Sequence, residues 1–175
     1  MPGPHRFFID KTRTPIGQLL IVCDGEGRLR AIDWADHESR MMGLLGRHYP
    51  EGFRLNAAQD PAGLTAALGA YMAGDVSVIE RLPVETSGTP FQRTVWKALR
   101  SIVAGETITY AQLALRAGKP AAVRAAGAAN GSNPVSIVIP CHRVIGSNSA
   151  LVGYGGGLER KRWLLDHEAV YARLK

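Results

Sequence analysis

Apolar and polar positions alternate with a period of two along the first part of the chain, between clusters of turn-forming residues. This alternation is typical of half-buried strands and predicts a small antiparallel meander. Turns are expected at residues 14–17 and 24–27, where Pro and Gly interrupt the pattern. The three predicted strands are residues 6–10, 18–23 and 29–34.

The apolar positions then take helical spacing, which predicts helices at residues 38–49 and 61–72. The second helix is expected to open at an Asp-Pro cap that starts at residue 60 and to stop before Gly74. Residues 82–88 form a predicted linker, after which the pattern of the chain changes.

Two capping boxes mark helix starts in the second half. The first, Thr-Pro-Phe-Gln at residues 89–92, combines a capping threonine, a first-turn proline and a capping glutamine. The helix that it opens is expected to end at Gly105 and to bury one apolar face. That face carries Phe91, Val95, Leu99 and Ile102.

The second capping box, at residues 109–112, begins a helix that is predicted to run through Ala117 and to stop at Gly118. Pro120 suits the first position of the next helix, predicted at residues 121–129. Helix, tight turn and helix have the spacing of a helix-turn-helix. Because the second helix has small residues and one arginine, it either approaches a partner closely or packs in the core.

A candidate nucleophile follows a β-branched run. Ser-Ile-Val-Ile at residues 136–139 predicts a short buried strand that ends at Pro140, because proline cannot donate to a ladder. Cys141 would lie at the strand edge, and the neighbouring His142 has the intrinsic pKa of a base that could activate a thiol. Adjacent residues of a strand face opposite ways, so contact between the two requires the chain to turn after Pro140.

Near the C-terminus, a glycine-rich loop at residues 152–157 precedes a helix predicted at about residues 158–168. The loop lacks the strand and helix context of a dinucleotide site. Three basic residues, 160–162, lie near the helix start, where they oppose the helix dipole, so they are expected to serve a partner.

Charge divides the 175-residue chain unevenly. Residues 1–85 carry 9 basic and 11 acidic side chains (9 − 11 = −2), and residues 86–175 carry 12 and 4 (12 − 4 = +8). A basic half attracts a polyanion, although it can also serve solubility alone. No apolar run has the length of a membrane span, and the N-terminus has no signal core. With two cysteines only, a reducing cytoplasm is expected.

In these residues the chain resembles the O6-alkylguanine-DNA alkyltransferase family, the methylated-DNA–protein-cysteine methyltransferases. The resemblance covers residues 89–168 closely, and its most specific element is Pro-Cys-His-Arg-Val at residues 140–144. Further matching positions are residues 14–17, 89–92, Tyr110, 124–127, 130–134, Gly153, Tyr154, Gly156, Gly157 and 163–168.

The resemblance implies an α/β (α+β) fold with two domains. Residues 1–85 would form a ribonuclease-H-like domain with a small antiparallel sheet, and residues 86–175 a winged-helix-like domain with the helix-turn-helix. It also implies direct-reversal DNA repair in the cytoplasm. The alkyl group of O6-alkylguanine, and of O4-alkylthymine, in DNA would pass to Cys141 irreversibly and once per molecule.

The family pattern assigns the catalytic roles residue by residue. His142 would activate Cys141 through a bridging water, and Glu168 would accept from His142 and fix its tautomer. Tyr110 would donate to the purine ring, and Asn133 would tie the recognition helix to the cysteine loop. On the residues alone, Glu168 as an exposed helix-end acid and Tyr110 as a half-buried core residue are the alternatives.

The family pattern also implies how DNA is bound. A double-stranded DNA partner would be held by its minor groove with the alkylated guanine flipped out, because a thiol cannot reach O6 inside the stack. Arg124 would fill the vacated space. The implied DNA-binding residues are Arg124, Ala125, Ala126, Gly127 and Gly131. The implied pocket residues are Tyr110, Val144, Gly153, Tyr154, Gly155, Gly156 and Lys161.

Neither a metal nor an organic cofactor is implied, and a monomer without a membrane partner is expected. Some members of the family hold a structural zinc ion in the N-terminal domain. Cys23 is the only thiol available there, so it is expected to be a small buried hydrophobe instead.

Three other function classes compete with alkyl transfer. A damage-binding module of the alkyltransferase-like type replaces the cysteine, and Cys141 argues against it. A cysteine hydrolase needs an oxyanion hole, for which no local signature is present. A transcription factor's recognition helix carries several polar base-reading side chains, whereas residues 121–129 offer Arg124 alone.

Overall fold

The structure, a computed structural model, describes residues 3–174. Its contacts divide the chain into two compact units. The first comprises the residues up to Ser87 together with Pro134–Ser136, and the second comprises Gly88–Asn133 and the residues from Ile137 onward. The mixed α/β class is confirmed, and the ribonuclease-H-like and winged-helix-like descriptions of the two parts stay predictions.

The first unit contains the predicted meander and one further strand. β1 (His5–Thr14), β2 (Gly17–Asp24) and β3 (Leu29–Trp34) pair antiparallel, as the alternating pattern predicts. β4 (Phe53–Ala57), which the sequence analysis missed, pairs parallel to β1, so that the strand order is β3-β2-β1-β4. A five-residue edge strand offers too short an alternation to stand out from a loop.

Two helices accompany this sheet. α1 (Glu38–His48) is close to its predicted range, whereas α2 (Leu64–Ala73) begins three residues late. Ala62 and Gly63 have φ values of 56° and 74°, so the first residues form a 3₁₀ turn before the α-helix starts. One core cluster joins the sheet to α1 and consists of Phe7, Leu20, Val22, Ala31, Met41, Leu45 and Tyr49.

The second unit is mainly helical. Its helices are α3 (Pro90–Arg100), α4 (Tyr110–Arg116), α5 (Val123–Gly131) and α6 (Leu158–Ala172). Both predicted capping boxes are present, and they start α3 and α4 at the predicted residues. α3 ends at Arg100, before the predicted stop at Gly105. Two short strands, β5 (Ile108–Thr109) and β6 (Val144–Ile145), pair in parallel.

α4 and α5 form the predicted helix-turn-helix, with α5 starting two residues later than expected. Pro120 lies in the turn rather than in the helix, because the Ala122 amide bonds back to Lys119 and α5 opens after it. The Trp96 indole of α3 donates to the Ala129 carbonyl at 2.8 Å and fixes α5 against α3. Ala126 and Ala129 are buried, while Arg124 is exposed. α5 thus packs in the core on one side and is open on the other.

The predicted strand at residues 136–139 is wrong. All four residues are buried as expected, but they form turns, and Ile137 has a φ of 72°. A β-branched residue rarely adopts the left-handed region, so this backbone cannot be a regular strand. The β-branched composition of this segment therefore predicted its burial correctly but not its backbone conformation. Among the described residues, no helix is both long and apolar enough to span a membrane.

Candidate active site

The chain turns directly after Pro140. Cys141–Arg143 form a 3₁₀ turn, in which the Arg143 amide donates to the Pro140 carbonyl at 3.0 Å. Successive side chains of a 3₁₀ turn point about 120° apart instead of to opposite faces. The objection to a Cys141–His142 partnership, which depended on a strand, is thereby removed. Cys141 is 7% exposed, and His142 is fully buried.

His142 and Glu168 form a buried hydrogen bond. The Nε2 atom of His142 lies 2.9 Å from Oε1 of Glu168, which projects from α6. Both side chains are inaccessible to solvent, so Glu168 is not the exposed helix-end acid that the residues alone allowed. Among the described residues no partner reaches the other ring nitrogen, Nδ1 of His142. That nitrogen is the one left to act on another group.

The charges of this pair follow from its surroundings. Burial acts to raise the pKa of Glu168, but the hydrogen bond from His142 and the hydrogen bonds and positive charge of Arg143 hold it well below its ordinary value. Burial lowers the pKa of His142, and the nearby carboxylate only partly opposes this. We therefore assign an ionised Glu168 and a neutral His142 that donates from Nε2, which leaves a lone pair on Nδ1.

Arg143 is a site residue to which the sequence analysis gave no role. Its Nε lies 2.9 Å from Oε1 of Glu168 and its Nη2 lies 2.6 Å from Oε2, a bidentate pair inside the protein. Nη1 donates to the Ile102 carbonyl. The only signal in the sequence was a cation directly after a buried run, and nothing local indicated that its partner lies on α6.

Asn133 links the end of α5 to the segment that carries Cys141. Its side chain is buried, and Nδ2 donates to the Ile139 carbonyl at 2.7 Å. This hydrogen bond spans the turn that replaces the predicted strand. The contact matches the hinge position that the resemblance implied for Asn133.

Tyr110 stands at the start of α4 with its hydroxyl directed to the glycine-rich loop. The hydroxyl donates to the Val152 carbonyl at 3.2 Å. A Cβ atom added to Gly127 would lie 3.6 Å from the Tyr110 ring, and one added to Gly153 would lie 3.6 Å from its hydroxyl. Burial raises the pKa of Tyr110, and Cys141 adds to the rise when it is a thiolate. The hydroxyl therefore stays protonated and is a donor.

Lys161 differs from the expectation that it belongs to a basic cluster for a partner. The side chain is fully buried, and Nζ donates to the carbonyls of Val144 at 2.6 Å, Val152 at 2.9 Å and Gly153 at 3.2 Å. Burial lowers its pKa, and Cys141 partly offsets this. Of its two basic neighbours, Arg162 is exposed and Arg160 is half-buried.

The residues implied to bind DNA divide by exposure along α5. Arg124, Ala125 and Gly131 are exposed, and Gly127 is half-buried against Tyr110. Ala126 is wholly buried, so its side chain is not on the surface where a duplex would lie. The structure does not test DNA contact at these positions, so the implied set stays a prediction.

The remaining pocket residues lie in β6 and in the glycine-rich loop. Val144 is fully buried, Gly153 and Gly155 are exposed, Tyr154 is half-buried and Gly156 is buried. The structure brings Tyr110, Lys161 and this loop together at the Val152 carbonyl.

Cys23 lies apart from these groups, in β2 of the first unit. It is buried, and burial together with the charge of Asp24 raises its pKa, which disfavours the reactive thiolate. Residues 3–174 contain no cluster of three or more His, Cys, Asp or Glu side chains that could hold a metal ion.

Comparison with known proteins finds relatives that match the sequence over most of its length. The family model described as "6-O-methylguanine DNA methyltransferase, DNA binding domain" matches residues 90–170. The chain is 52% identical over 164 residues to the methylated-DNA–protein-cysteine methyltransferase of Shigella flexneri, covering 93% of this chain and 96% of the relative. It is 53% identical to the Salmonella typhimurium protein of the same name over the same shares.

Solved structures give the same result. The Mycobacterium tuberculosis OGT, crystallised in complex with DNA, superposes with a TM-score of 0.73 at 36% identity. The superposition covers 95% of this chain and 94% of that one.

Proposed function

The chain belongs to the methylated-DNA–protein-cysteine methyltransferase family, and we propose that it repairs DNA by moving the alkyl group of O6-alkylguanine, and of O4-alkylthymine, onto Cys141. The observation that carries the assignment to these residues is the buried hydrogen bond between His142 and Glu168, one position from a slightly exposed thiol. The repair class itself follows from the family.

The proposed reaction is a displacement at the alkyl carbon. A bond forms between Sγ of Cys141 and this carbon while the bond from carbon to O6 breaks, and its electron pair leaves with the guanine. The thiol loses one proton and the guanine regains one, so thiol and O6-alkylguanine become thioether and guanine. The thioether product is stable, and we propose that it is not cleaved again, so that each molecule reacts once.

His142 is the proposed base for the thiol proton. A thiol with an ordinary pKa of ~8.5 is only a few per cent thiolate at neutral pH, so proton removal raises the reactive fraction. Nδ1 of His142 carries the available lone pair and would take the proton through a bridging water. Glu168 stabilises the imidazolium that results, in the manner of the carboxylate in a catalytic triad.

Tyr110 is the proposed donor to the leaving base. Its raised pKa keeps the hydroxyl protonated over the physiological range, so that it can donate to the purine ring as negative charge develops there. Asn133 keeps the cysteine segment in register with α5 through its bond to the Ile139 carbonyl.

Double-stranded DNA is the proposed partner, bound through the minor groove with the damaged base flipped out. The exposed side of α5, with small residues and Arg124, suits close approach to a groove, and the net charge of residues 86–175 is +8 (12 − 4). Affinity should therefore weaken with salt. We further propose that the protein acts as a monomer in the cytoplasm, with residues 86–175 as the reactive DNA-binding domain.

A stoichiometry experiment tests this function. The full chain is incubated with duplex DNA that carries a labelled O6-methylguanine, and the label is located by peptide mass spectrometry. We expect one methyl group per molecule on Cys141 and none on Cys23, and no transfer to a Cys141→Ser variant. An unchanged protein mass would indicate damage binding only, and release of the label into solution would indicate a hydrolase.

A further inference from the structure

The carbonyl oxygen of Val152 accepts hydrogen bonds from two side chains that belong to different helices. The Tyr110 hydroxyl at the start of α4 lies 3.2 Å from it, and Nζ of Lys161 in the first turn of α6 lies 2.9 Å from it. A carbonyl oxygen has two lone pairs, so both bonds can exist together. The first residue of the glycine-rich loop, residues 152–157, is therefore fastened twice.

Lys161 uses all of its donors on the backbone. An ammonium group has three N–H bonds, and here they go to the carbonyls of Val144, Val152 and Gly153. The Lys161 side chain is fully buried, its bond to Val144 is buried and its bonds to Val152 and Gly153 are partly buried. Water therefore has little access to the ammonium group itself. Lys161 thereby joins β6 to the beginning of the glycine-rich loop independently of Tyr110.

Tyr110, in contrast, has one hydroxyl proton to give. While it donates to the Val152 carbonyl, it cannot also donate to a bound purine. The proposed function requires the second bond, so substrate binding must break the first. Removing the last donor from a carbonyl in the protein costs more folding free energy than removing one of two donors.

We propose that Lys161 is a positioning residue that keeps the glycine-rich loop in place while Tyr110 moves its hydrogen bond from Val152 to the bound base. Lys161 thus lowers the free-energy cost of breaking the bond between Tyr110 and the Val152 carbonyl, since that carbonyl keeps one donor throughout. This inference rests on the proposed function, because it assumes a purine beside Tyr110.

Amide hydrogen exchange at residues 152–157 tests the transfer. The full chain carries Cys141→Ser so that alkyl transfer cannot occur, and exchange is measured with and without duplex DNA that contains O6-methylguanine. With Lys161 present, the DNA should leave exchange in the loop unaccelerated. In Lys161→Met, the DNA should speed it by about tenfold or more, because Tyr110 leaves and no second donor remains.

Two further variants decide the outcome. Arg162→Met removes one positive charge from an exposed position of the same helix, and its loop should behave as in the parent protein. Tyr110→Phe should leave exchange in the DNA-free loop nearly unchanged, since Lys161 still holds Val152, and this result is accessible even if Lys161→Met fails to fold.

The inference is overturned if Tyr110→Phe alone loosens the loop tenfold, or if DNA loosens it while Lys161 is present. It is also overturned if a folded Lys161→Met protein responds to DNA like its parent. Failure of the proposed function is seen separately, as the absence of methyl transfer by the protein that retains Cys141.

Discussion

Arg143 donates hydrogen bonds to both carboxylate oxygens of Glu168, with Nε 2.9 Å from Oε1 and Nη2 2.6 Å from Oε2. The same Oε1 atom accepts from His142. The carboxylate can therefore neither rotate nor become protonated without breaking an ion pair that is sealed from solvent. The direction of the imidazole at the proposed site depends on a guanidinium that itself does not act on the substrate.

Replacing Arg143 by Met should lower the free energy of unfolding by about 3–5 kcal/mol, because Glu168 would remain as a buried charge with one partner fewer. Urea denaturation of the two proteins measures this. Arg116→Met is the matched control, since Arg116 pairs with Glu106 at the surface and its loss should change stability by less than about 1 kcal/mol. Equal effects of the two substitutions would contradict a structural role for the buried pair.

Glu168→Gln should slow alkyl transfer by about a hundredfold while DNA affinity stays nearly the same. The amide keeps the size of the side chain but removes the negative charge that stabilises protonated His142. Single-turnover rates with duplex O6-methylguanine give the first quantity, and binding of the same duplex to a Cys141→Ser background gives the second. A normal rate would remove Glu168 from the mechanism.

Acid should destabilise the second unit in two steps. His142 and Glu168 both have a lower pKa in the folded protein than their ordinary values of 6.5 and 4.5. Below about pH 6.5 the unfolded chain therefore binds protons that the folded chain does not, so their contribution to stability is complete above that pH and is lost as the pH falls. His142 acts first and Glu168 at lower pH.

Urea midpoints measured from about pH 8 to about pH 3 check this dependence. Glu168→Gln should remove the lower part of the decline, because the side chain that titrates there is gone. A midpoint that stays constant, or one that rises in acid, would show that these two groups are not held in their deprotonated forms by the fold.

Local signals in the sequence were sufficient where a structure is set by neighbours along the chain. The capping boxes at Thr89 and Thr109 each place a side-chain acceptor and a glutamine three residues apart, and both helices begin where these predict. The strand predicted at residues 136–139 was wrong for the opposite reason. Its backbone is set by Ile137 in a left-handed conformation and by Asn133 holding Ile139, neither of which a β-branched run reveals.

The candidate site shows the same limit. His142 and Glu168 are 26 positions apart, so their contact was expected only from the resemblance, and spacing along the chain did not indicate it. Arg143 and Lys161 are of residue types that are usually exposed to solvent, so the sequence favoured surface positions for both. Both are buried, because Arg143 pairs with a carboxylate on α6 and Lys161 donates to three backbone carbonyls that lie 8 to 17 positions before it.

Arg124→Ala should reduce repair of an alkylated duplex far more than reaction with a free base such as O6-benzylguanine. Arg124 is exposed on the open side of α5, where a long side chain can occupy the space that a flipped base leaves in the stack. Without the Arg124 side chain, nothing occupies that space, and the flipped base can return to the stack more readily. A free base has no stack to leave, so its rate should be almost unchanged.

Lys119→Ala separates this role from simple charge. Lys119 is exposed in the turn before α5, so its removal takes away the same single positive charge without shortening the side chain at position 124. Loss of one phosphate contact should weaken binding to damaged and undamaged duplexes alike and reduce the salt dependence. Arg124→Ala should instead slow transfer from the duplex even at saturating DNA. If both variants lose only affinity, in equal measure for the two duplexes, Arg124 is a phosphate contact and the wedge is excluded.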